Sequence, residues 1–331
     1  MSKNVLITGG AGFIGSHIIE HIIKNTDWNI IIIDKLTYAT KGLSRLNDFN
    51  ALSNNRVKFF TYDLSHSLSD GLKIELGDEI NYIIHMAADT HVDNSITKPV
   101  SFIKNNVMST LHILEYARTI SKTLEKFFYF STDEVYGSAP DNISYTEKDV
   151  HNPSNPYSAS KSASEQIAIS YYNTYKVPII ITNLMNVFGE RQHVEKFIPK
   201  CIKYILEGKI IPIHSDKTCT KPGSRFYIHA RNVSSAIIFL IKNGVIGEKY
   251  NITGEKEMNN LEMALFIAKI IKKELKYNLV DYHSDRPGHD QRYSLCGDKL
   301  SDLGWKPPNG FTKSLEKTIN WTLANSKWLE F

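Results

Sequence analysis

Apolar residues in the first half of the chain arrive as short unbroken runs, separated by polar stretches with helical spacing. Val5-Leu6-Ile7 is one run and Ile30-Ile31-Ile32-Ile33 another, both rich in β-branched residues. Between them, Phe13, Ile14, Ile18, Ile22 and Ile23 recur at the spacing of one helix face. Further strands are expected at 57–62, 82–85, 126–131 and 178–183, with helices at 105–120 and 157–175. Fully apolar strands alternating with amphipathic helices predict a parallel sheet covered on both faces, a doubly wound α/β unit.

The texture changes after Asn183. Pro199, Pro212, Pro222, Pro287, Pro307 and Pro308 punctuate longer loops, and the helical segments at 196–207 and 261–275 lack long apolar strands between them. This predicts a first domain over 1–185 and a smaller mixed α/β domain over most of 186–331. Residues 226–250, a strand-loop followed by an apolar-faced helix, are expected to return to the first domain. No repeat is visible, so a solenoid is excluded.

Composition narrows the class only modestly. The 331 residues are 42% hydrophobic and 22% charged, ordinary for a soluble globular chain. Lys and Arg number 39 against 35 acids and are interspersed with them, without the concentrated stripe of a nucleic-acid footprint. No apolar run reaches membrane-spanning length, and the first residues lack the pattern of a signal peptide. Cys201, Cys219 and Cys296 lie far apart, which predicts neither a disulfide scaffold nor a metal site and points to a reducing, cytoplasmic setting.

Three motifs carry chemistry. The first, Thr8-Gly9-Gly10-Ala11-Gly12-Phe13-Ile14-Gly15, joins the first strand to the first helix. Glycines there permit a tight turn and close backbone approach to a pyrophosphate, which the helix N-terminus attracts. Taken alone such a pattern is also an ordinary turn. Asp34 at the end of the next strand strengthens the case, since a carboxylate there accepts from a ribose 2′-hydroxyl and repels a 2′-phosphate, favouring NAD over NADP. Asp63 ends the third strand and is expected on the adenine side.

The second motif is Tyr157-Ser158-Ala159-Ser160-Lys161, whose phenol and ammonium share a helix face. A neighbouring cation favours phenolate, which a tyrosine needs to act as a base. A surface pair is the plain alternative. The third is Ser131-Thr132-Asp133-Glu134, two acids at the carboxyl end of a strand, where open α/β sheets place their sites. Paired carboxylates in different environments serve as acid and base.

In this order the motifs resemble the extended short-chain dehydrogenase/reductase superfamily over essentially the whole chain. The Thr-Asp-Glu triplet resembles the signature of its nucleotide-sugar 4,6-dehydratases. The segments 34–38, 87–93, 195–199 and 285–290 are similar to the same family. The resemblance implies a Rossmann-type fold with a bound NAD that is recycled internally, and a homodimer formed through the helices at 105–120 and 157–175. It implies a hydro-lyase converting a nucleoside-diphosphate glucose to its 4-keto-6-deoxy sugar, in a rhamnose-type deoxysugar pathway.

The catalytic residues it implies are Thr132, Asp133, Glu134, Tyr157 and Lys161. Tyr157 takes the C4 hydroxyl proton beside Lys161, Thr132 binds the same oxygen, Glu134 removes the C5 proton, and a protonated Asp133 donates to the leaving 6-hydroxyl. Cofactor contacts are implied for Gly9, Gly12, Phe13, Ile14 and Gly15, for Asp34, Lys35, Leu36 and Thr37, and for Asp63, Leu64, Ala87, Ala88, Asn105, Tyr157 and Lys161. Substrate contacts are implied for Thr90, Thr132, Asn186, Lys196 and Phe197, and for Pro212, His214, Arg225, Asn251, Arg286 and His289. The two arginines suit diphosphate oxygens.

The chain departs from the family at Asn186-Val187-Phe188-Gly189-Glu190, where Asn-Asn-Tyr-Gly-Pro is usual. It also has a longer 212–225 segment and Phe226 in place of an acid. The first departure falls beside the expected nicotinamide; the longer segment and Phe226 are expected to border the nucleotide and bear on its base. The residues Asn94-Ser95, 104–106, 290–293 and 325–328 look like plant-type enzymes acting on UDP-glucose, and the reading leans to UDP-glucose over dTDP-glucose. The rivals are a nucleotide-sugar 4-epimerase, which has no need of the acid pair, and a catalytically silent NAD or sugar-nucleotide sensor, against which the intact motifs argue.

Overall fold

The computed structural model describes residues 2–281 and 291–330. The apolar runs become strands because each buries both faces. Along β1 (Asn4–Thr8) and β2 (Asn29–Asp34), Val5, Ile7, Ile30 and Ile32 join one core while Leu6, Ile31 and Ile33 join the core on the opposite face. The two-residue period of a strand distributes one apolar run between two helical layers.

Around these strands lie β3 (Val57–Thr61), β4 (Tyr82–His85), β5 (Lys126–Thr132), β6 (Ile179–Leu184) and, much later, β10 (Lys249–Ile252). The described residues form a seven-stranded parallel sheet in the order β3-β2-β1-β4-β5-β6-β10. The order reverses between β1 and β4, and that switch point is where open α/β sheets bind ligands. The α/β class and the doubly wound sheet are as expected from the sequence.

Helix α1 (Phe13–Asn25) follows β1, and the Arg56 guanidinium closes its far end on the carbonyls of Ile23, Thr26 and Trp28. After the short helices α2 (Ser44–Asn47), α3 (Asp70–Leu76) and α4 (Val92–Thr97), α5 (Pro99–Thr119) packs on the other face along α6 (Pro156–Tyr175), held by Asn106 Nδ2 donating to Ser160 Oγ at 2.9 Å. Helix α5 starts six residues before the expected 105, because Pro99 supplies a pre-set first turn.

The later chain divides its allegiance. Helix α8 (Ala230–Asn243) packs on α1 and leads to β10, while β9 (Ser224–His229) pairs with β7 (Asn186–Phe188) and β11 (Glu257–Asn259) in a separate sheet. Lys126 spends its ammonium on the carbonyls of Leu240, Ile241 and Gly244, tying β5 to the end of α8. Strands β8 (Ile211–Ser215) and β12 (Tyr277–Asp281) form a two-stranded parallel pair. Helices α7 (Phe197–Glu207) and α9 (Asn260–Ile271) close a third core with Phe311–Ala324.

Helix α9 begins with a reciprocal cap, Asn259 with Glu262, remote from the switch point. Asn259→Ala is expected to cost about 1 kcal/mol in urea unfolding while catalytic rates stay unchanged.

Candidate active site

One cavity of about 400 Å³ runs from the β1–α1 turn across the carboxyl ends of the strands to the start of α7. Its shape begins with two glycines. Gly9 has φ +72°, and a Cβ there would lie 2.9 Å from the Ala87 amide nitrogen; one on Gly15 would lie 2.5 Å from the Gly9 carbonyl oxygen. Only bare backbone lets the turn, α1 and the end of β4 approach this closely.

Gly12 caps α1 without a side-chain bond, so the first N–H groups of the helix meet the cavity with no side-chain acceptor. Asp34 lies at the adjoining strand end. Its two carboxylate oxygens accept from Ala11 N (3.0 Å) and Leu36 N (2.8 Å), each keeping a lone pair for a further donor. Burial raises its pKa, opposed by those two amides and by Arg45. An uncapped helix end beside a strand-terminal acid fits a dinucleotide, with the pyrophosphate at α1 and a ribose at Asp34.

The other implied cofactor residues also line the cavity: Phe13, Ile14, Lys35, Thr37, Asp63, Leu64, Ala87, Ala88 and Asn105, with Tyr157 and Lys161. Leu36 does not. Its backbone takes a positive φ of 56° to donate to Asp34, so it shapes the acid rather than the lining. Sequence reasoning missed Arg45, which is buried, lines the cavity, and donates to Ala39 O and Arg191 O. No local pattern marks it, because its acceptors are backbone carbonyls, one of them 146 residues away.

The acid pair sits on a short 3₁₀ turn, Asp133–Tyr136, directly after β5. Thr132 caps the turn by accepting from Glu134 N, and donates to Asp133 Oδ1 at 2.9 Å. The turn leaves through Gly137, φ +75°, where a Cβ would strike the Asn152 carbonyl at 2.4 Å. Asn155 caps α6 in a reciprocal bond with Ser158, and Pro156 follows, so the helix starts one residue before Tyr157. The Asn155 amide and the Tyr293 hydroxyl each stand 3.5 Å from Glu134 Oε2.

Two acids one residue apart therefore meet different surroundings. Asp133 is buried, and burial together with the Glu134 charge pushes it up to about 7, against the pull of Thr132 and Arg225. Its Oδ2 has no hydrogen-bond partner. That is the environment of a carboxyl that keeps its proton near neutrality.

Tyr157 departs from the sequence expectation. Its phenol is held above the usual range by burial and by Glu134 and Asp133, with Thr132 opposing. Lys161 is pushed down to about 7 by its own burial, with Glu165 opposing, and its ammonium lies 4.4 Å from the centre of the Tyr129 ring. Without a further positive charge the cavity favours phenol over phenolate.

Of the implied substrate residues, Thr90, Thr132, Asn186, Lys196 and Phe197 line the same cavity. Four others are placed away from its lining. Pro212 is exposed and His214 half-buried on β8, in the two-stranded sheet. Arg225 donates to the Ser224 and Gln291 carbonyls and lies over the Tyr293 ring. Asn251, fully buried on β10, donates to the carbonyls of Tyr145 and Cys296. The family resemblance proposed these residues, but for Arg225 and Asn251 it did not show the backbone carbonyls their side chains engage. Arg286 and His289 lie outside the described residues. The cavity adds Gln192, His193 and Tyr227, which no motif had singled out, and Glu195, which opens the 195–199 segment without having been given a role.

Among the described residues no cluster of His, Cys, Asp and Glu is placed to hold a metal ion, and no helix is long and apolar enough to cross a membrane. What the cavity can do is hydride transfer at a dinucleotide, with a hydroxyl-bearing phenol and two carboxyls placed to move protons.

Comparison with known proteins agrees. The family model described as GDP-mannose 4,6 dehydratase matches residues 6–318. The chain is 37% identical to dTDP-glucose 4,6-dehydratase of Escherichia coli, over 98% of this chain and 94% of that one. It is 35% identical to a trifunctional UDP-glucose 4,6-dehydratase, epimerase and reductase of Arabidopsis thaliana, over 98% of this chain and 48% of that one. The solved dTDP-glucose 4,6-dehydratase DesIV of Streptomyces venezuelae, with NAD bound, superimposes with a TM-score of 0.88 at 33% identity, covering 99% of this chain and 100% of that one. UDP-glucose 4-epimerase of Thermus thermophilus, with NAD, gives 0.83 at 26% identity, covering 96% and 98%.

The chain belongs to the GDP-mannose 4,6 dehydratase family. It is a hydro-lyase of the nucleotide-sugar 4,6-dehydratase class.

The raised carboxyl at Asp133 has a thermodynamic consequence. A folded-state pKa of about 7 against an unfolded 3.8 means that the folded chain binds the extra proton between those values, so stability falls as pH rises through that window. Asp133→Asn removes this dependence. Its melting temperature is expected to gain on the native chain from pH 4 to pH 7 and to hold the difference above. A constant difference over that range would contradict a proton held by Asp133.

Proposed function

We propose that the hydro-lyase converts dTDP-glucose to the 4-keto-6-deoxy sugar nucleotide and water, with NAD as its cofactor. The observation that carries the reading is the Thr132–Asp133–Glu134 turn opening, beside Tyr157 and Lys161, into the cavity formed by the glycine turn and Asp34. An epimerase moves one hydride and one hydroxyl proton; two further carboxyls in unlike environments are what elimination of water requires.

NAD, when bound, would accept the hydride from C4 and return it at C6 after water has left, and its oxidised ring would bring positive charge into the cavity. Positive charge there offsets the acids that hold Tyr157 as a phenol, so the phenolate becomes accessible and takes the C4 hydroxyl proton. Thr132, whose hydroxyl proton turns from Asp133 Oδ1 to the same oxygen, donates there. Oxidation at C4 acidifies the C5 proton, which Glu134 removes. Asp133, kept protonated, gives its proton to the departing 6-hydroxyl, and water leaves. Glu134 then returns a proton to C5.

The nucleotide base is supported by relatives rather than by the site. The Escherichia coli and Streptomyces venezuelae proteins are named for dTDP-glucose, at 37% and 33% identity over nearly the whole chain. The lean toward UDP-glucose drawn from the sequence finds support in the Arabidopsis enzyme at 35% and is the second reading. We place the enzyme in the cytoplasm as a homodimer joined through α5 and α6, whose outer faces expose Val100 and Tyr175.

Incubation of the purified protein with NAD and each nucleotide sugar, followed by mass spectrometry, tests the reading. Loss of one water with no net cofactor reduction is expected, with dTDP-glucose preferred by roughly tenfold or more in kcat/KM. A UDP-glucose preference would select the second reading, and a mass-neutral epimer would sink the dehydratase. Glu134→Gln is expected to stop after C4 oxidation, so that reduced cofactor accumulates on the enzyme. Absence of any cofactor reduction in that variant would refute its role at C5.

A further inference from the structure

The face of α6 that carries Tyr157 and Lys161 continues one turn further to Glu165, four residues beyond the lysine. Its side chain is fully buried, where a carboxylate persists only with partners. Those partners come from three separate parts of the chain. Lys249, the first residue of β10, brings its Nζ onto Oε1, and His151 Nε2 lies 3.2 Å from the same oxygen. Asn183, near the end of β6, donates Nδ2 to Oε2 at 3.3 Å.

The same groups reach the turn that bears the acid pair. The Asn183 amide lies 3.3 Å from the Thr132 carbonyl oxygen, and Lys249 Nζ lies 3.5 Å from the Tyr136 hydroxyl. Thr132 and Tyr136 bound that turn at its two ends. Glu165 is thus connected both to the helix of the phenol and ammonium and to the strand end of the carboxyls.

We propose that Glu165 is a positioning residue of the dehydratase: held by Lys249, His151 and Asn183, its carboxylate keeps Lys161 charged and fixes α6 against the Thr132–Tyr136 turn. This rests on the assignment of Tyr157 and Lys161 to the oxidation at C4. The surroundings of Lys161 make a counter-charge necessary. Tyr129 of β5 presents its ring, and His85 of β4 is kept neutral by burial, down to about 3. Tyr157 shares the helix, with Asp133 and Glu134 on the turn beyond it. Burial pulls the ammonium down to about 7 even with Glu165 opposing. Burial would raise the Glu165 carboxyl itself, but His151 and Lys249 outweigh this and bring it to about 2, so it is ionised wherever the enzyme works.

The sign of the effect separates charge from mere packing. An ammonium-dependent step is lost as pH rises through the lysine's pKa. Removing a nearby negative charge lowers that pKa, whereas removing a nearby positive charge does not. The experiment follows the rate of cofactor reduction by rapid mixing across pH, in full-length enzyme loaded with NAD. It uses an Asp133→Asn background, so that Asp133 neither titrates nor donates. Glu165→Gln is expected to move the alkaline limb down by about one pH unit. Lys249→Gln, which leaves His151 and Asn183 to hold the carboxylate ionised, should leave the limb in place or move it up. Glu165→Asp, which keeps the charge and guards against a misfolded amide variant, should hold the native limb whatever its absolute rate.

A uniform loss in Glu165→Gln with no shift of the limb would overturn the proposal. So would a downward shift in Glu165→Asp, or downward shifts in both the Glu165→Gln and Lys249→Gln variants. Failure of the native enzyme to release water from the sugar nucleotide, read separately by mass, would instead remove the functional reading on which the proposal stands.

Discussion

Charged groups are expensive to take out of water, and this site takes out several at once. Asp133, Lys161 and Glu165 are all buried at the carboxyl ends of β5 and β6, with Tyr157 among them. None is stable there alone. The consequences spread through the fold. Asp133 keeps a proton, Lys161 gives up part of its hold on one, and Glu165 is held ionised by a histidine from the segment before α6 and a lysine from β10. The capped start of α6 at Asn155, the register of β10 on β6 and the exit of the acid turn at Gly137 all serve to hold these groups in register.

The same desolvation separates two neighbouring carboxyls into different chemical roles. Asp133 is buried with one oxygen lacking a hydrogen-bond partner, while Glu134 has an amide and a phenol beside it. One residue of offset along a 3₁₀ turn produces the asymmetry. Elimination of water needs a donor and an acceptor of protons within reach of adjacent carbons, and a turn at a strand end supplies both from consecutive positions.

The cofactor side follows a different physical rule, steric rather than electrostatic. Gly9 and Gly15 matter for the side chains they lack, since any Cβ would meet backbone across the turn. What remains is an uncapped helix end and a strand-terminal acid facing one cavity. Arg45 completes that end of the cavity by drawing the loops at Ala39 and Arg191 together through their carbonyls.

Much of this was legible in the chain. The alternation of apolar runs and amphipathic helices encodes a doubly wound sheet, because each strand and helix declares its buried faces within a few residues. Glycine spacing, the strand-terminal acids and the Tyr157–Lys161 step are local patterns of the same kind. The ionisation of Tyr157 was not legible, since its own burial and two acids on another element raise it, and helix spacing shows neither. Nor were the fates of Arg225 and Asn251, whose donors are claimed by the carbonyls of Ser224, Gln291, Tyr145 and Cys296. Lys249 lies 84 residues after Glu165 and meets it only when β10 closes the sheet edge. Local periodicity determines which face a residue presents; which charge it then meets, and how much water is left there, is decided only when distant segments pack.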